Sequence, residues 1–185
     1  MAVPEEFVGA WRRVGLLIDG VRRVDYCDVL WLQTADWFVD IRTLIVPGLA
    51  PEAGDVQAHF TQELSFAGTT DFNGAKLRWR HLLDSREEAP PDENLVVWQD
   101  KLLVESGHFP WQGREVPFVE EWGFLGREGV TGVGEDGHVR VEAAGFANEA
   151  QRTGPDFKAV KYLYSGGGWT QVGQVSTTAG VASRP

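Results

Sequence analysis

Two residues that can donate or accept protons occur in runs where large apolar residues recur at every second position, as on one face of a β-strand. The alternating residues of the two runs are Leu77, Trp79, His81 and Leu83, and Phe118, Glu120, Trp122 and Phe124. Because alternate residues of a strand share one face, His81 and Glu120 are predicted to point into an apolar interior. An imidazole or a carboxyl group held there can act as a general acid or base. We therefore take His81 and Glu120 as the candidate catalytic residues.

Both residues also have ordinary structural explanations. His81 is equally explained as a hydrogen-bonded histidine of the core. The face that carries Glu120 can be reversed, with Glu121 inside, or both glutamates can lie at a rim. A carboxyl group on an aromatic face has a raised pKa unless a partner is present, and this is the property that would make Glu120 useful as an acid or base.

Asp40 and Arg42 form a possible ligand-binding pair because they lie two positions apart on one strand face. If that face is interior, Asp40 neutralises Arg42 and the guanidinium can still bind a carboxylate, carbonyl or phenolate. The apolar Val39 and Ile41, which alternate with them, favour the opposite arrangement. In that case Asp40 and Arg42 form a surface ion pair of little energetic weight.

Aromatic and amide side chains complete the predicted binding site. Trp31 shares a strand face with Gln33, whose amide both donates and accepts hydrogen bonds, and the phenol of Tyr162 can anchor a ligand or bridge core and solvent. The eight tryptophans can line a pocket or fill the interior completely. The predicted ligand-binding residues are Trp31, Gln33, Arg42, Trp79, Phe118, Trp122 and Tyr162.

Strands dominate the chain that must position these residues. Short runs rich in Val, Leu, Phe and Trp are separated by 22 glycines and 9 prolines, and Asp19-Gly20 and Asn73-Gly74 are typical of tight hairpin turns. About ten strands are predicted, and an antiparallel sheet of that size must curl, split or close. We predict an all-β fold, an antiparallel up-and-down β-barrel of eight to ten strands, with a two-sheet sandwich as the alternative.

One segment departs from the strand pattern. Within residues 51–64, Val56, Phe60 and Leu64 recur every fourth residue, which predicts one short amphipathic helix across the barrel or over its opening. Residues 1–175 are predicted to form a single barrel domain. Residues 176–185 contain no large apolar side chain other than one valine and are predicted to be a frayed tail.

Composition limits the partners and cofactors. With 17 Lys and Arg against 27 Asp and Glu, the formal charge is −10, which argues against nucleic acid and anionic membrane surfaces. Cys27 is the only cysteine and the four histidines have no metal-ligand spacing, so no disulfide, metal or other cofactor is predicted. The first residues do not form a secretory signal, which predicts a cytoplasmic protein. The sequence leaves the oligomeric state open.

The start of the chain resembles the calycin superfamily of lipocalin-like barrels. Gly9-Ala10-Trp11 matches the Gly-x-Trp that opens their first strand. Further similarity to bacterial calycin-like proteins of unassigned function lies in residues 31–34, 38–42, 66–68, 79–81 and 120–122. The resemblance covers residues 7–124, about two thirds of the chain. It implies a barrel with Trp11 closing one end, and it implies no activity.

Three functions follow as hypotheses. The first is a barrel that binds a small, largely apolar or aromatic organic molecule in its centre. The second is a cyclase or isomerase of secondary metabolism that uses the same cavity, with conformational restraint and proton transfer by His81 or Glu120. The third is a filled barrel that serves as a scaffold for other proteins.

Overall fold

A computed structural model describes residues 3–46, 48–49, 51–52, 54–87 and 91–178. The described chain consists of fourteen strands and two short 3-10 helices, Glu5–Phe7 and Val56–Phe60. The strands are β1 (Gly9–Ile18), β2 (Val21–Arg22), β3 (Cys27–Gln33), β4 (Phe38–Leu44), β5 (Leu64–Phe72), β6 (Lys76–Asp84), β7 (Asp92–Gln99), β8 (Leu102–Trp111), β9 (Arg114–Gly126), β10 (Thr131–Glu135), β11 (His138–Ala143), β12 (Phe146–Thr153), β13 (Asp156–Ser165) and β14 (Gly168–Thr178).

Eight strands close into an antiparallel barrel. Their order around the barrel is β1-β3-β4-β5-β6-β7-β8-β9, and β9 pairs back onto β1 from Ala10↔Gly126 to Ile18↔Phe118. The two-residue strand β2 extends the hairpin of β1 and stays outside this circuit. The predicted all-β class and the up-and-down barrel are confirmed, and the closed circuit decides against the sandwich.

The strands after Gly126 form a second sheet that the sequence analysis did not separate from the barrel. β10 to β14 pair in simple sequence order as a five-stranded antiparallel sheet. They cannot join the barrel because the β1–β9 pairing leaves it without a free edge. The last strand reaches Thr178, so the first three residues of the predicted tail are part of a strand. Residues 179–185 lie outside the described residues.

The second sheet packs on the outer face of β3 and β4. One buried cluster joins the two surfaces, and its members are Ala10, Leu30, Leu32, Val39, Ile41, Ala67 and Leu83 from the barrel and Val139, Val141, Ala143, Ala150, Phe157, Ala159 and Val175 from the second sheet. Within this contact, Asn148 Nδ2 donates to the backbone oxygens of Leu30, at 2.8 Å, and Val39, at 3.3 Å. β4 is therefore buried on both faces.

The predicted amphipathic helix is a five-residue 3-10 helix, Val56–Phe60. Asp55 accepts a hydrogen bond from the backbone N–H of Gln57 and caps its start. The helix ends at Phe60, with Thr61 as its C-cap. Leu64 already belongs to β5, so Val56, Phe60 and Leu64 do not lie on one helical face. Among the residues that the structure describes, no helix has the length and apolar character needed to cross a membrane.

Candidate functional site

The barrel interior contains two apolar clusters with charged side chains between them. The first cluster holds Trp11, Trp31, Trp79 and Trp122, and the second holds Leu16, Ile18, Phe60, Phe109, Val116 and Phe118. Along β1, Trp11 belongs to the first cluster, Ile18 to the second, and Arg13 lies between them. The second cluster includes Phe60 of the 3-10 helix, which therefore packs against that part of the interior.

Trp11 connects the start of the chain to the tryptophan cluster. Its indole N–H donates to the backbone oxygen of Phe7 at 2.9 Å. Its ring stacks on Trp31 at a centroid distance of 5.7 Å, and Trp79 and Trp122 meet Trp31 edge-on, each at 5.7 Å. The rings of Trp79 and Trp122 therefore lie at steep angles to Trp31, which is nearly parallel to Trp11.

Two buried arginines hold the carboxylates of the barrel centre. The Arg13 side chain has 0% exposure and binds Asp25 through Nε and Nη2, at 2.7 and 2.8 Å, and Glu120 through Nη1 at 2.5 Å. Arg42 binds Asp40 through Nε at 3.0 Å and lies 3.8 Å from Glu120. Glu120 points inward, as the alternation predicts, and lies between two guanidinium groups.

The exterior arrangement favoured for Asp40 and Arg42 is wrong. Both residues lie on the interior face of β4, while Val39 and Ile41 pack against the second sheet. An apolar residue predicts the buried face only when the other face is exposed to water. Burial lowers the pKa of Arg42, but Asp40 and Glu120 outweigh this effect and raise it, so Arg42 is a permanent cation.

His81 is held by carboxylates through both ring nitrogens. Nδ1 lies 2.6 Å from Asp84 Oδ2, and Nε2 lies 3.0 Å from Asp92 Oδ2. The ring also stacks on Phe66 at 4.2 Å. Burial alone would lower the pKa of His81, but the hydrogen bonds to both aspartates outweigh it and raise that pKa. A ring whose two nitrogens both bind carboxylates has no free nitrogen for a substrate, and the catalytic role of His81 stays a prediction.

Asp84 reaches His81 because the strand changes register. Ala67 pairs with Leu83 and Gly68 pairs with His81, so Leu82 is an extra residue in β6. A β-bulge of this kind reverses the faces of the residues that follow it. Leu83 therefore packs between the two sheets rather than inside the barrel, where the alternation predicted it, and Asp84 turns toward His81.

A His81→Gln variant is expected to lose stability in a pH-dependent manner. The folded-state pKa of His81 is raised, so its contribution to the free energy of unfolding is complete below about pH 6.5 and is lost as the pH rises through the folded-state pKa. At pH 6 the variant is expected to be about 1.5–3 kcal/mol less stable than the wild type. Urea unfolding at pH 6, 7.5 and 9 measures the difference, which must shrink with pH.

His108 on β8 provides the control for this experiment because it is an exposed histidine of the same barrel. At each of the three pH values, His108→Gln should have the same unfolding midpoint as the wild type. A destabilisation by His81→Gln that stays constant from pH 6 to 9 would contradict an imidazolium bound by two carboxylates.

A cavity opens beside the tryptophan cluster. It encloses about 260 Å³, including space at its open mouth. It is lined by Trp31, Asp40, Arg42, Phe66, Trp79, Asp92, Glu105 and Trp122. Four of the predicted ligand-binding residues are in this lining, namely Trp31, Arg42, Trp79 and Trp122.

The other predicted site residues are not part of the lining. Gln33 has its amide satisfied inside the fold, since its oxygen accepts from Trp31 and Thr70 and its nitrogen donates to the Thr34 oxygen. Phe118 packs in the second apolar cluster. Tyr162 lies on β13 of the second sheet, against the guanidinium of Arg140.

His81 and Glu120 are not lining residues, but each of them lies next to a charged residue of the lining. His81 binds Asp92, and Glu120 lies 3.8 Å from Arg42. Both candidate catalytic residues thus contact the site through another side chain.

Glu105 is the lining residue with the most unusual environment, and the sequence analysis missed it. It lies on β8 and is 5% exposed. Its oxygens accept hydrogen bonds from Asn94 Nδ2 at 2.8 Å and Trp122 Nε1 at 3.0 Å. Burial raises the pKa of Glu105 well above its usual value, and the charges of Glu120 and Asp92 raise it further. Leu103, Glu105 and Phe109 alternate along their strand in the same way as the run that contains Glu120. The sequence pattern alone therefore could have indicated that Glu105 points inward.

The chain is similar to a known protein family. The model of the family described as Protein HRI1 matches residues 12–174. The chain belongs to the HRI1 family. No curated protein and no solved structure is detectably similar to it.

The HRI1 family match covers both sheets. It begins at Arg12 in β1 and ends at Gln174 in β14, so all eight residues that line the cavity lie within it. The description of the HRI1 family names no activity.

Proposed function

We propose that this HRI1-family chain binds a small organic molecule in the cavity of its barrel. The observation that carries the proposal is the convergence of three indole rings, a guanidinium and a buried carboxyl group on one opening. Binding sites for small molecules combine apolar walls with a few polar groups that fix orientation. The rings of Trp31, Trp79 and Trp122 would contact the apolar part of the ligand, and Arg42 and Glu105 would contact its polar part.

The proposal includes a lipocalin-like, calycin type of barrel. Its support is the up-and-down order of eight strands, the 3-10 helix Glu5–Phe7 ahead of β1, and the buried Trp11 bonded to Phe7. Barrels of eight strands are wide enough to be filled by side chains or to hold one small ligand. The free space of about 260 Å³ includes open space at the mouth of the cavity, so only a ligand with few heavy atoms fits inside.

Native mass spectrometry after incubation with a metabolite extract tests ligand binding. A bound molecule is expected to stabilise the wild type by about 2.7 kcal/mol at 100 times its Kd, a shift in Tm of roughly 5–10 °C for a chain of this size. Trp79→Leu removes a wall of the cavity and should weaken retention. Trp169→Leu, in β14 of the second sheet, is the matched control and should retain the molecule.

Absence of any retained molecule, together with no thermal shift in the extract, would contradict the binding proposal. It would favour the scaffold, in which the barrel interior has no ligand and the work is done by an outer surface.

The second candidate function is an enzyme that transfers a proton in the same cavity, such as a cyclase or isomerase of secondary metabolism. Glu105 favours it, because a buried carboxyl group with a raised pKa in a cleft is a frequent property of catalytic acids. Conversion of a retained molecule by the wild type, and retention without conversion by Glu105→Gln, would distinguish the enzyme from the binder.

A further inference from the structure

We propose that the ligand of the cavity is a small organic cation, a protonated amine or a quaternary ammonium group, held by Glu105 and the surrounding aromatic rings. This inference rests on the proposed binding function and adds the chemical class of the ligand.

Glu105 is a buried carboxyl group that lacks a cationic partner in the described part of the chain. Both of its hydrogen-bond donors, Asn94 and Trp122, are neutral. The other carboxylates of the site each have a cation, since Asp40 binds Arg42, Asp92 binds His81 and Glu120 binds Arg13. A buried charge is costly unless it is paired. A cationic ligand at the open side of Glu105 supplies the missing partner.

The charges around the cavity also favour a cation over an anion. Among the described residues of the network around the cavity, six carboxyl groups (Asp25, Asp40, Asp84, Asp92, Glu105 and Glu120) are present with four cationic groups (Arg13, Arg42, His81 and Arg86). An anionic ligand would add to the excess of negative charge. It would also compete with Asp40 and Glu120 for Arg42, which both carboxylates already neutralise.

The aromatic lining indicates an organic cation rather than a metal ion. Trp31, Trp79, Trp122 and Phe66 line the cavity beside Glu105, and indole rings attract cations that approach their faces within about 6 Å. Arg42 already shows this interaction with Phe66, at 5.2 Å from the ring centroid. Hard metal ions require several oxygen ligands, whereas an alkylammonium group gains from contact with apolar rings.

The experiment compares probes of matched shape and different charge. Choline is titrated against its neutral isostere 3,3-dimethylbutan-1-ol, and n-butylammonium against 1-butanol and butyrate, at constant ionic strength. Tryptophan fluorescence and calorimetry are the readouts. At least one cation should bind saturably, with an affinity at least tenfold higher than that of its neutral counterpart, and butyrate should not bind.

Glu105→Gln tests the counter-ion directly. The variant keeps the size of the side chain and removes its charge, and it should lower the affinity for the cation at least tenfold. Glu121→Gln is the matched control, because Glu121 lies on the same barrel but binds Arg22 on the outer face. Its affinity should equal that of the wild type.

Proton linkage in the wild type gives a measurement that does not depend on a variant. The pKa of Glu105 is raised, so the carboxyl group is neutral at low pH and must lose its proton to pair with a cation. Affinity should therefore rise with pH, and binding should release protons in calorimetry with buffers of different ionisation enthalpy. The charged groups that face Glu105 are Glu120 on β9, Asp92 on β7 and Arg42 on β4.

The possible outcomes separate this inference from the binding function. If neutral molecules or butyrate bind while the cations do not, the cation inference is overturned and the binding function stands. If Glu105→Gln binds the cation as well as Glu121→Gln does, and no proton is released, the assignment of Glu105 is overturned. If neither the probes nor a metabolite extract supplies a ligand, both proposals fall.

Discussion

Replacing Arg13 with methionine is expected to lower the free energy of unfolding by about 3–5 kcal/mol. The guanidinium lies in the barrel interior and is the direct ionic partner of both Asp25 and Glu120. Its removal leaves two carboxylates without their direct counter-ion in a region of low dielectric constant. The remaining cation near Glu120 is Arg42, which lies 3.8 Å away and is already bound to Asp40. Urea unfolding followed by tryptophan fluorescence measures the loss.

Arg22→Met is the matched control for this substitution. Arg22 is 59% exposed and binds Glu121 on the outside of the barrel, where an ion pair contributes little to stability. Its unfolding midpoint should not change. The double variant Arg13→Met with Glu120→Gln should recover part of the lost stability, because one uncompensated charge is then removed. Equal effects of Arg13→Met and Arg22→Met would show that the buried network does not stabilise the barrel.

The second large effect is expected for Gly68→Ala, with a loss at the upper end of about 1–3 kcal/mol. A Cβ atom on Gly68 would lie 1.9 Å from the backbone oxygen of Arg80 and 2.9 Å from the backbone nitrogen of Leu82. Both contacts are with backbone atoms of the bulge in β6, so a rotamer change cannot relieve them. The strands must separate there, which also displaces His81 from its two aspartates.

Thermal and urea unfolding test this effect, with Gly168→Ala as the control. An added Cβ at Gly168 meets nothing within 4 Å, so this variant should be as stable as the wild type or gain up to about 1 kcal/mol from a less flexible unfolded chain. If Gly68→Ala unfolds at the midpoint of Gly168→Ala, the close approach of β5 and β6 at the bulge is contradicted.

Local patterns were sufficient to predict an antiparallel sheet whose strands follow in sequence order, and its closure into a barrel was preferred over a sandwich without being determined. Asp19 and Gly20 adopt the positive φ angles, 54° and 73°, that their hairpin requires. Asn73 accepts hydrogen bonds from the backbone of Ala75 and Lys76 in the second predicted hairpin. Such turns join neighbouring strands in sequence order, and this order is what makes the barrel an up-and-down one.

The same alternation located part of the site. It placed Trp79 and Trp122 inside the barrel, and it also placed Glu120 there. It missed Glu105, although Leu103, Glu105 and Phe109 alternate along β8, and it missed Asp92, because Asn94 interrupts the apolar face of β7. Glu105 joins the site through the β8–β9 hairpin, where Trp122 donates to it across 17 positions of the chain.

By itself the sequence determined the strands, their turns and the inward face of any strand whose outer face meets water, because a two-residue period and the chemistry of turns are local properties. Only the tertiary structure decided that Asp40 and Arg42 face inward, since the outer face of β4 is buried by a sheet that begins at Thr131. It also decided that Asp84 turns toward His81, since a single extra residue in β6 reverses the faces that follow. When a strand is buried on both faces or contains a bulge, an apolar residue no longer shows which way the neighbouring side chains point. Long-range packing then decides which charged side chains face the site.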